Sequence, residues 1–308
     1  MADVLPTEAA RTSGLLYVDK PAGLSSHDVV AIVRRAARTR RVGHAGTLDP
    51  FATGLLVMAV GPSTRLLPYI VGEPKVYVTR IRFGVETDTD DATGAPTRSA
   101  PCPPDRVLFD PRHPVRLAAE QELSGHIAQV PPAYSAKHVA GRRAYELARQ
   151  GDTVTLAPVP VHVHEWHWCD AAPGELVTRI TCGGGTYIRA LARDLGRALG
   201  SAAHCATLRR IASGPVRVDH AVRVDALEPG SIAEGRVPLQ APLGALGDVA
   251  RQPLDDAQLA DLRHGRRVRA TVAGDRAALL LADEVVSIAD RVEPDRWQPR
   301  LVLLGTPA

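Results

Sequence analysis

Between two apolar segments runs Gly43-His44-Ala45-Gly46-Thr47-Leu48-Asp49-Pro50-Phe51-Ala52-Thr53-Gly54, one carboxylate set among glycines, threonines and a histidine. A carboxylate is ionised at neutral pH and can serve as a nucleophile. Glycines at this spacing let the backbone adopt φ > 0 and approach a ligand without Cβ clashes. Pro50 disfavours the helical region for Asp49 and pushes it toward an extended conformation. No second acid lies in the stretch, so the pattern suggests a single aimed side chain. A surface turn uses the same residue types, and the stretch alone leaves both readings open.

A second stretch, Ile180-Thr181-Cys182-Gly183-Gly184-Gly185-Thr186-Tyr187-Ile188-Arg189, reads as a strand, a glycine turn and the start of a helix. That is the general form of an anion site. Neither G-x-G-x-x-G nor a Walker lysine is present, so no nucleotide cofactor is expected. Arg189 sits in the first helical turn, where a cation opposes the helix dipole. It therefore calls for an acidic partner, and Asp49 is a candidate. His162 and His164 share one strand face and have the ligand chemistry for zinc, but no further ligand stands at a supporting spacing. Thr87 to Gly94 resembles a calcium loop only superficially, since the EF-hand spacing and terminal glutamate are missing. It reads as a hydrogen-bonded turn, and no metal is expected.

The chain has 308 residues, 45% apolar and 23% charged, which fits a globular protein with one large domain and a small one. Net charge is only +3, yet Arg34, Arg35, Arg38, Arg40 and Arg41 cluster just before the Asp49 stretch. Such a cluster is the footprint of phosphate-backbone contact. Cys102, Cys169, Cys182 and Cys205 are scattered without a C-x-x-C pair, against a zinc ribbon or a disulfide framework. No secretory signal and no membrane-length apolar run is visible, so a cytoplasmic location is expected.

The elements that must position these residues follow from periodicity. Leu15 to Val18, Leu55 to Val60 and Val76 to Phe83 read as strands, the last with Tyr77, Thr79, Ile81 and Phe83 on one face. Ser25 to Arg38 reads as a helix with Ser25 as cap, Asp28 at capping-box spacing, and Val29, Ile32, Val33 and Ala36 on one face. A short helix is expected over Thr64 to Ile70, a loop over Pro96 to Pro114 with its six prolines, and a short helix over Arg142 to Gln150. Ile188, Leu191, Leu195 and Leu199 share a helix face that Gly200 ends. From Asp219 to Leu246 a helix and connection are expected. Leu254 to His264 reads as a helix, and Val268 to Val272, Ala277 to Leu281, Glu284 to Ala289 and Pro299 to Leu304 as strands of a small β-rich unit.

Taken together, these stretches resemble the pseudouridine synthases of the TruB type. Gly43-His44-Ala45-Gly46-Thr47-Leu48-Asp49-Pro50 with Ala52-Thr53-Gly54 resembles the family's catalytic motif. Lys20-Pro21-Ala22-Gly23, Lys75-Val76-Tyr77, Thr87-Asp88-Thr89-Asp90, Gln129-Val130-Pro131-Pro132-Ala133-Tyr134-Ser135-Ala136 and Gly185-Thr186-Tyr187-Ile188-Arg189-Ala190-Leu191 look like further family motifs, in family order. His204 with Leu208-Arg209-Arg210 completes the set, and the C-terminal part looks like a PUA RNA-binding domain. The sequence departs from the family at His138, where members usually carry a lysine, and in the proline-rich piece after Pro96.

The resemblance implies an α/β (α+β) fold, a mixed central sheet with flanking helices plus a small C-terminal PUA-like β-barrel. It implies a catalytic domain over 1–247, a PUA-like domain over 248–308, and a segment at about 129–155 that closes on RNA. The implied reaction converts uridine 55 of the tRNA T loop to pseudouridine, with the base flipped out of its stack. Asp49 would be the nucleophile, at C1′, at C6 or through a glycal route. Arg189 would orient Asp49, and Tyr77 would stack on the uracil beside the C5 proton that must leave. His44 would fill the space the base vacates, with Leu208 and Tyr187 supporting the pocket. Lys20, Arg142, Arg143, Arg209, Arg210, Arg266 and Arg267 join the arginine cluster as expected RNA contacts. No cofactor, metal, guide RNA or membrane is expected, and the chain would act as a monomer on the T arm of tRNA. Two other readings stay open: an RNA-binding protein or tRNA-folding chaperone with an idle Asp49, and a guide-RNA-dependent synthase.

Overall fold

The computed structural model describes residues 13–134, 138–139, 142–143 and 156–304, with the two short pairs described by backbone alone. These form two compact units. One holds the described chain up to Leu48, Leu56–Gly72 and everything from Gly214 on; the other holds Asp49–Leu55 and Glu73–Ser213.

In the first unit, the strand Gly14–Lys20 pairs in parallel with Val222–Arg223. Val42–His44 runs antiparallel to the end of the strand Thr53–Val60, with His44 opposite Met58. The helix Ser26–Ala36 has the expected capping box, Ser25 and Asp28 satisfying each other's end of the first turn. Its apolar face buries Val29, Val30, Val33 and Ala36 against Leu16, Val18, Leu56, Met58 and Val60. The helix stops two residues short of Arg38, which takes a left-handed φ of 49°. Gly61–Tyr69 is a 3-10 helix rather than the short helix expected from Thr64. Between Asp219 and Leu246 the expected helix is absent: there are 3-10 turns and one two-residue strand, because Pro229, Gly230, Gly235 and Pro238 leave no uninterrupted helical run.

The C-terminal part of this unit is a five-stranded sheet in the order Ala250–Pro253, Arg276–Leu281, Glu284–Glu293, Arg296–Val302, Val268–Arg269. It is the small PUA-like element, with the helix Asp256–Arg263 ended at Gly265, where φ is 68°. Trp297 is fully buried at its centre and donates its indole N–H to Gln252 Oε1 at 2.7 Å.

In the second unit, Thr53 and Gly54 pair in parallel with Arg209 and Arg210 of the strand Ala203–Ser213. The sheet continues antiparallel through Lys75–Phe83, Glu175–Cys182, Val159–Ala172 and Gly125–Gln129. It is therefore mixed, as expected. The helix Ile188–Ala198 buries Ile188, Leu191 and Leu195, and Gly200 ends it at φ 68°. Pro96 to Pro114 is not a plain loop. It contains the strand Pro96–Ser99, the helix Asp105–Phe109 and the start of the helix Pro114–Glu122, because Pro104 and Pro114 stand at helix starts, where proline is tolerated. Arg142–Arg143 is a two-residue strand against His138–Val139, not the beginning of a helix. The remainder of that expected helix, and most of the segment 129–155, lie outside the described residues.

Gly54 shows why a glycine is required at the end of the Asp49 stretch. Its φ is 99°, and a Cβ there would sit 2.2 Å from the Arg210 carbonyl oxygen. Gly54→Ala is expected to cost about 2 kcal/mol or more of unfolding free energy, read from the midpoint of a denaturant titration. An unchanged midpoint would contradict this close approach.

Candidate active site

Asp49 reaches its position from a well-held backbone. The Ser26 hydroxyl accepts from the amide of Leu48, the preceding residue, at 2.9 Å and donates to its carbonyl at 3.1 Å. The Asp49 carbonyl accepts from the Ala52 amide at 3.1 Å, closing the turn around Pro50. The side chain remains 37% exposed. Its carboxylate is therefore anchored and still accessible.

The acidic partner that Arg189 called for is Asp49: Nε lies 2.9 Å from Oδ2. The guanidinium is 5% exposed, and its other nitrogens are used as well. Nη1 donates to Thr89 O at 2.6 Å and lies 3.4 Å from Asp91 Oδ2, while Nη2 donates to Tyr134 O at 2.9 Å. A buried guanidinium with all three nitrogens engaged is fixed in orientation. The Thr87 to Gly94 segment is the expected hydrogen-bonded turn, closed on Asp91 Oδ1 by Thr89 Oγ1, Thr93 N and Thr93 Oγ1 at 2.8, 2.9 and 2.6 Å.

Asp90, with φ 57°, points to Arg193 instead, Oδ2 to Nη1 at 2.7 Å. Burial pushes its carboxyl up to about 6 against the pull of Arg193 and Arg189. Arg193 also donates to Val130 O at 2.9 Å. Gln129 makes a two-point contact with the Tyr187 backbone, donating to its carbonyl at 3.1 Å and accepting from its amide at 2.9 Å. The start of the Gln129-Val130-Pro131-Pro132 stretch is thereby pinned to the helix that carries Arg189.

Tyr77 lies on the inner face of the Lys75–Phe83 strand, 7% exposed. Burial raises its phenol above the ordinary value, while Arg210, which hydrogen-bonds it, pulls the other way and Asp49 adds to the rise. Leu208 is buried on the neighbouring strand opposite Thr79. Burial likewise pushes Cys182 up to about 11 and Cys205 to about 12, so neither is a ready nucleophile.

Within this unit the fold brings together Asp49, Arg189, Tyr77 and Arg210. His44 belongs to the first unit, its ring edge-on to His27 at 6.2 Å. Arg34, Arg35, Arg38, Arg40 and Arg41 are exposed, as are Arg266 and Arg267, and Arg209 is half-buried. Two expected RNA contacts are corrected. Lys20 is fully buried, its Nζ donating to Pro21 O and Leu24 O at 2.9 and 2.7 Å, so it braces a turn. Arg210 is 1% exposed and donates from Nε to Leu55 O at 2.7 Å; its strand position turns it inward. His162 stacks on His126 with ring centroids 4.1 Å apart, and the His164 ring lies tilted to it at the same centroid distance. Among the described residues no group of three His, Cys, Asp or Glu is arranged to hold a metal ion.

Sequence reasoning missed Ser26, Asp91 and Gln129 as supports of the site. Asp91 lay in a turn already noted, but Ser26 and Gln129 act on main-chain groups far along the chain, which no local pattern signals.

The architecture is that of the pseudouridine synthases. A Cbf5–Nop10–Gar1 complex matches with a TM-score of 0.69 at 23% identity over 98% of this chain and 88% of the matched chain. An archaeal box H/ACA sRNP Nop10–Cbf5 complex gives 0.68 at 23% identity, over 99% and 90%. Sequence places the chain more narrowly. Residues 34–188 match the N-terminal domain model of the TruB family pseudouridylate synthases, and residues 189–237 the tRNA pseudouridylate synthase B C-terminal domain. Proteins named tRNA pseudouridine synthase B are 43% identical in Thermobifida fusca, over 95% of this chain and 99% of theirs, and 42% identical in Gloeobacter violaceus, over 94% and 98%. The chain belongs to the TruB family of pseudouridylate synthases.

Proposed function

We propose that this protein isomerises uridine 55 in the T loop of tRNA to pseudouridine, with Asp49 as the nucleophile and without a guide RNA. The observation that carries the reading is the partly exposed Asp49 carboxylate held at 2.9 Å by a guanidinium whose other two nitrogens are also engaged. A fixed carboxylate in a glycine-lined turn can attack C1′ or C6 of a flipped nucleotide, or assist a glycal route. Isomerisation leaves the redox state unchanged and needs no cofactor. Tyr77 would stack on the uracil and lie beside the C5 proton. Leu208 and Tyr187 would line the pocket, and His44 would fill the gap left in the RNA.

On this reading residues 1–247 form the catalytic domain and 248–308 an RNA-binding PUA-like domain, with the segment at about 129–155 closing on the T arm. The exposed arginines from Arg34 to Arg41, with Arg266 and Arg267, would contact phosphates, joined by Arg142, Arg143 and Arg209. The protein would work as a monomer, in the cytoplasm where tRNA is found.

The test is a T-arm transcript incubated with the purified chain alone, with pseudouridine mapped by sequence position. Product at position 55 without added RNA is expected. Product elsewhere would overturn the site assignment, and product only with an added guide would favour the guide-dependent reading. If phosphate contacts dominate, tRNA binding should weaken about a hundred-fold or more between 50 and 200 mM salt. A flat salt response, measured by filter binding, would contradict the phosphate role of the arginines.

A further inference from the structure

Arg210 and Tyr77 are direct register partners across adjacent antiparallel strands. Arg210 is almost wholly buried, yet its donors are used: Nε binds Leu55 O at 2.7 Å, and the guanidinium hydrogen-bonds the Tyr77 phenol oxygen. Leu55 ends the segment that begins at Asp49 in the same compact unit. One side chain thus ties the Asp49 segment to the phenol. A guanidinium taken into a sheet interior is costly unless its geometry is well satisfied, and its partners here include a strand carbonyl and the tyrosine. Lys75, two residues before Tyr77, places a second cation beside Arg210. Its ammonium is lowered first by burial and then by Arg210. Arg210 opposes the effect of burial on the phenol, which nonetheless stays above its ordinary value.

We propose that Arg210 is a positioning residue for Tyr77, holding the phenol oxygen where it accepts the C5 proton of the uracil. The inference rests on the function proposed above. Once C5 is joined to C1′, the C5–H bond breaks and the proton passes to the Tyr77 phenol oxygen, whose own hydroxyl proton is given up to water. The released electron pair forms the C5–C6 double bond, and the displaced C6–N1 pair goes to N1, which takes a proton from water.

The test is single-turnover kinetics, with enzyme in excess, on tRNA carrying either protium or deuterium at uridine C5. Arg210→Gln is expected to slow turnover about ten-fold or more with tRNA affinity within about two-fold, and to raise the C5 isotope effect above that of wild type. Tyr77→Phe keeps Arg210 and its bond to Leu55, and should raise the same isotope effect, so the pair is readable even where Arg210→Gln does not fold. An isotope effect unchanged in either folded variant overturns the proposal, whatever happens to the rate. Failure of the wild type to release any C5 hydrogen would instead defeat the proposed function itself.

Discussion

Asp49→Asn is expected to bind tRNA as wild type does and to turn over at least about a thousand-fold more slowly. The amide is nearly isosteric with the carboxylate and keeps an oxygen for Arg189 Nε, so the turn from Leu48 to Ala52 should persist. The exposed arginines from Arg34 to Arg41 are untouched, and phosphate contacts supply most of the binding energy for nucleic acid. What is lost is the negative charge and the nucleophilic oxygen. Filter binding beside a single-turnover assay separates the two effects. Turnover within about ten-fold of wild type would remove covalent catalysis by Asp49 from the account.

Arg189→Lys is expected to lower kcat about a hundred-fold with a much smaller change in tRNA affinity. The guanidinium serves Asp49, Asp91, Thr89 O and Tyr134 O from three nitrogens spread over a rigid plane. A lysine ammonium carries the same charge on one nitrogen, which cannot lie within bonding distance of all four acceptors. Asp49 then loses its orientation while the overall electrostatics stay nearly constant, so the loss should fall on kcat. Near-normal kcat in this variant would mean that Arg189 merely neutralises Asp49 and Asp91.

The legible part of the site was the part written as local pattern. Asp49 before Pro50, the Gly183-Gly184-Gly185 turn and the unpaired cation in the first turn of the Arg189 helix each carry a conformational requirement in their own sequence. The demand of Arg189 for an acid led to Asp49 because the helix dipole argument is local while its answer is not. Residues that act across the sheet were illegible for the opposite reason. Arg210 sits in Leu208-Arg209-Arg210 with nothing to mark it as inward-facing. Only the register that sets it opposite Tyr77 decides that. Lys20 misled in the same way, since a lysine beside a proline turn looks solvated until its Nζ is found on two turn carbonyls. In the fold, the capped Ser26–Ala36 helix and the alternating Lys75–Phe83 strand were plain. The helices after Pro104 and from Pro114 were hidden by prolines that look like breakers but stand at helix starts.

The central claim is tested most directly with tRNA tritiated at uracil C5, incubated with purified wild type and Asp49→Asn, alongside a transcript carrying cytidine at position 55. Wild type is expected to release the tritium of uridine 55 to water without any added RNA, metal or cofactor. It should release none from the cytidine transcript, and Asp49→Asn should release none from either. Release by Asp49→Asn, or from the transcript lacking uridine 55, would contradict the account.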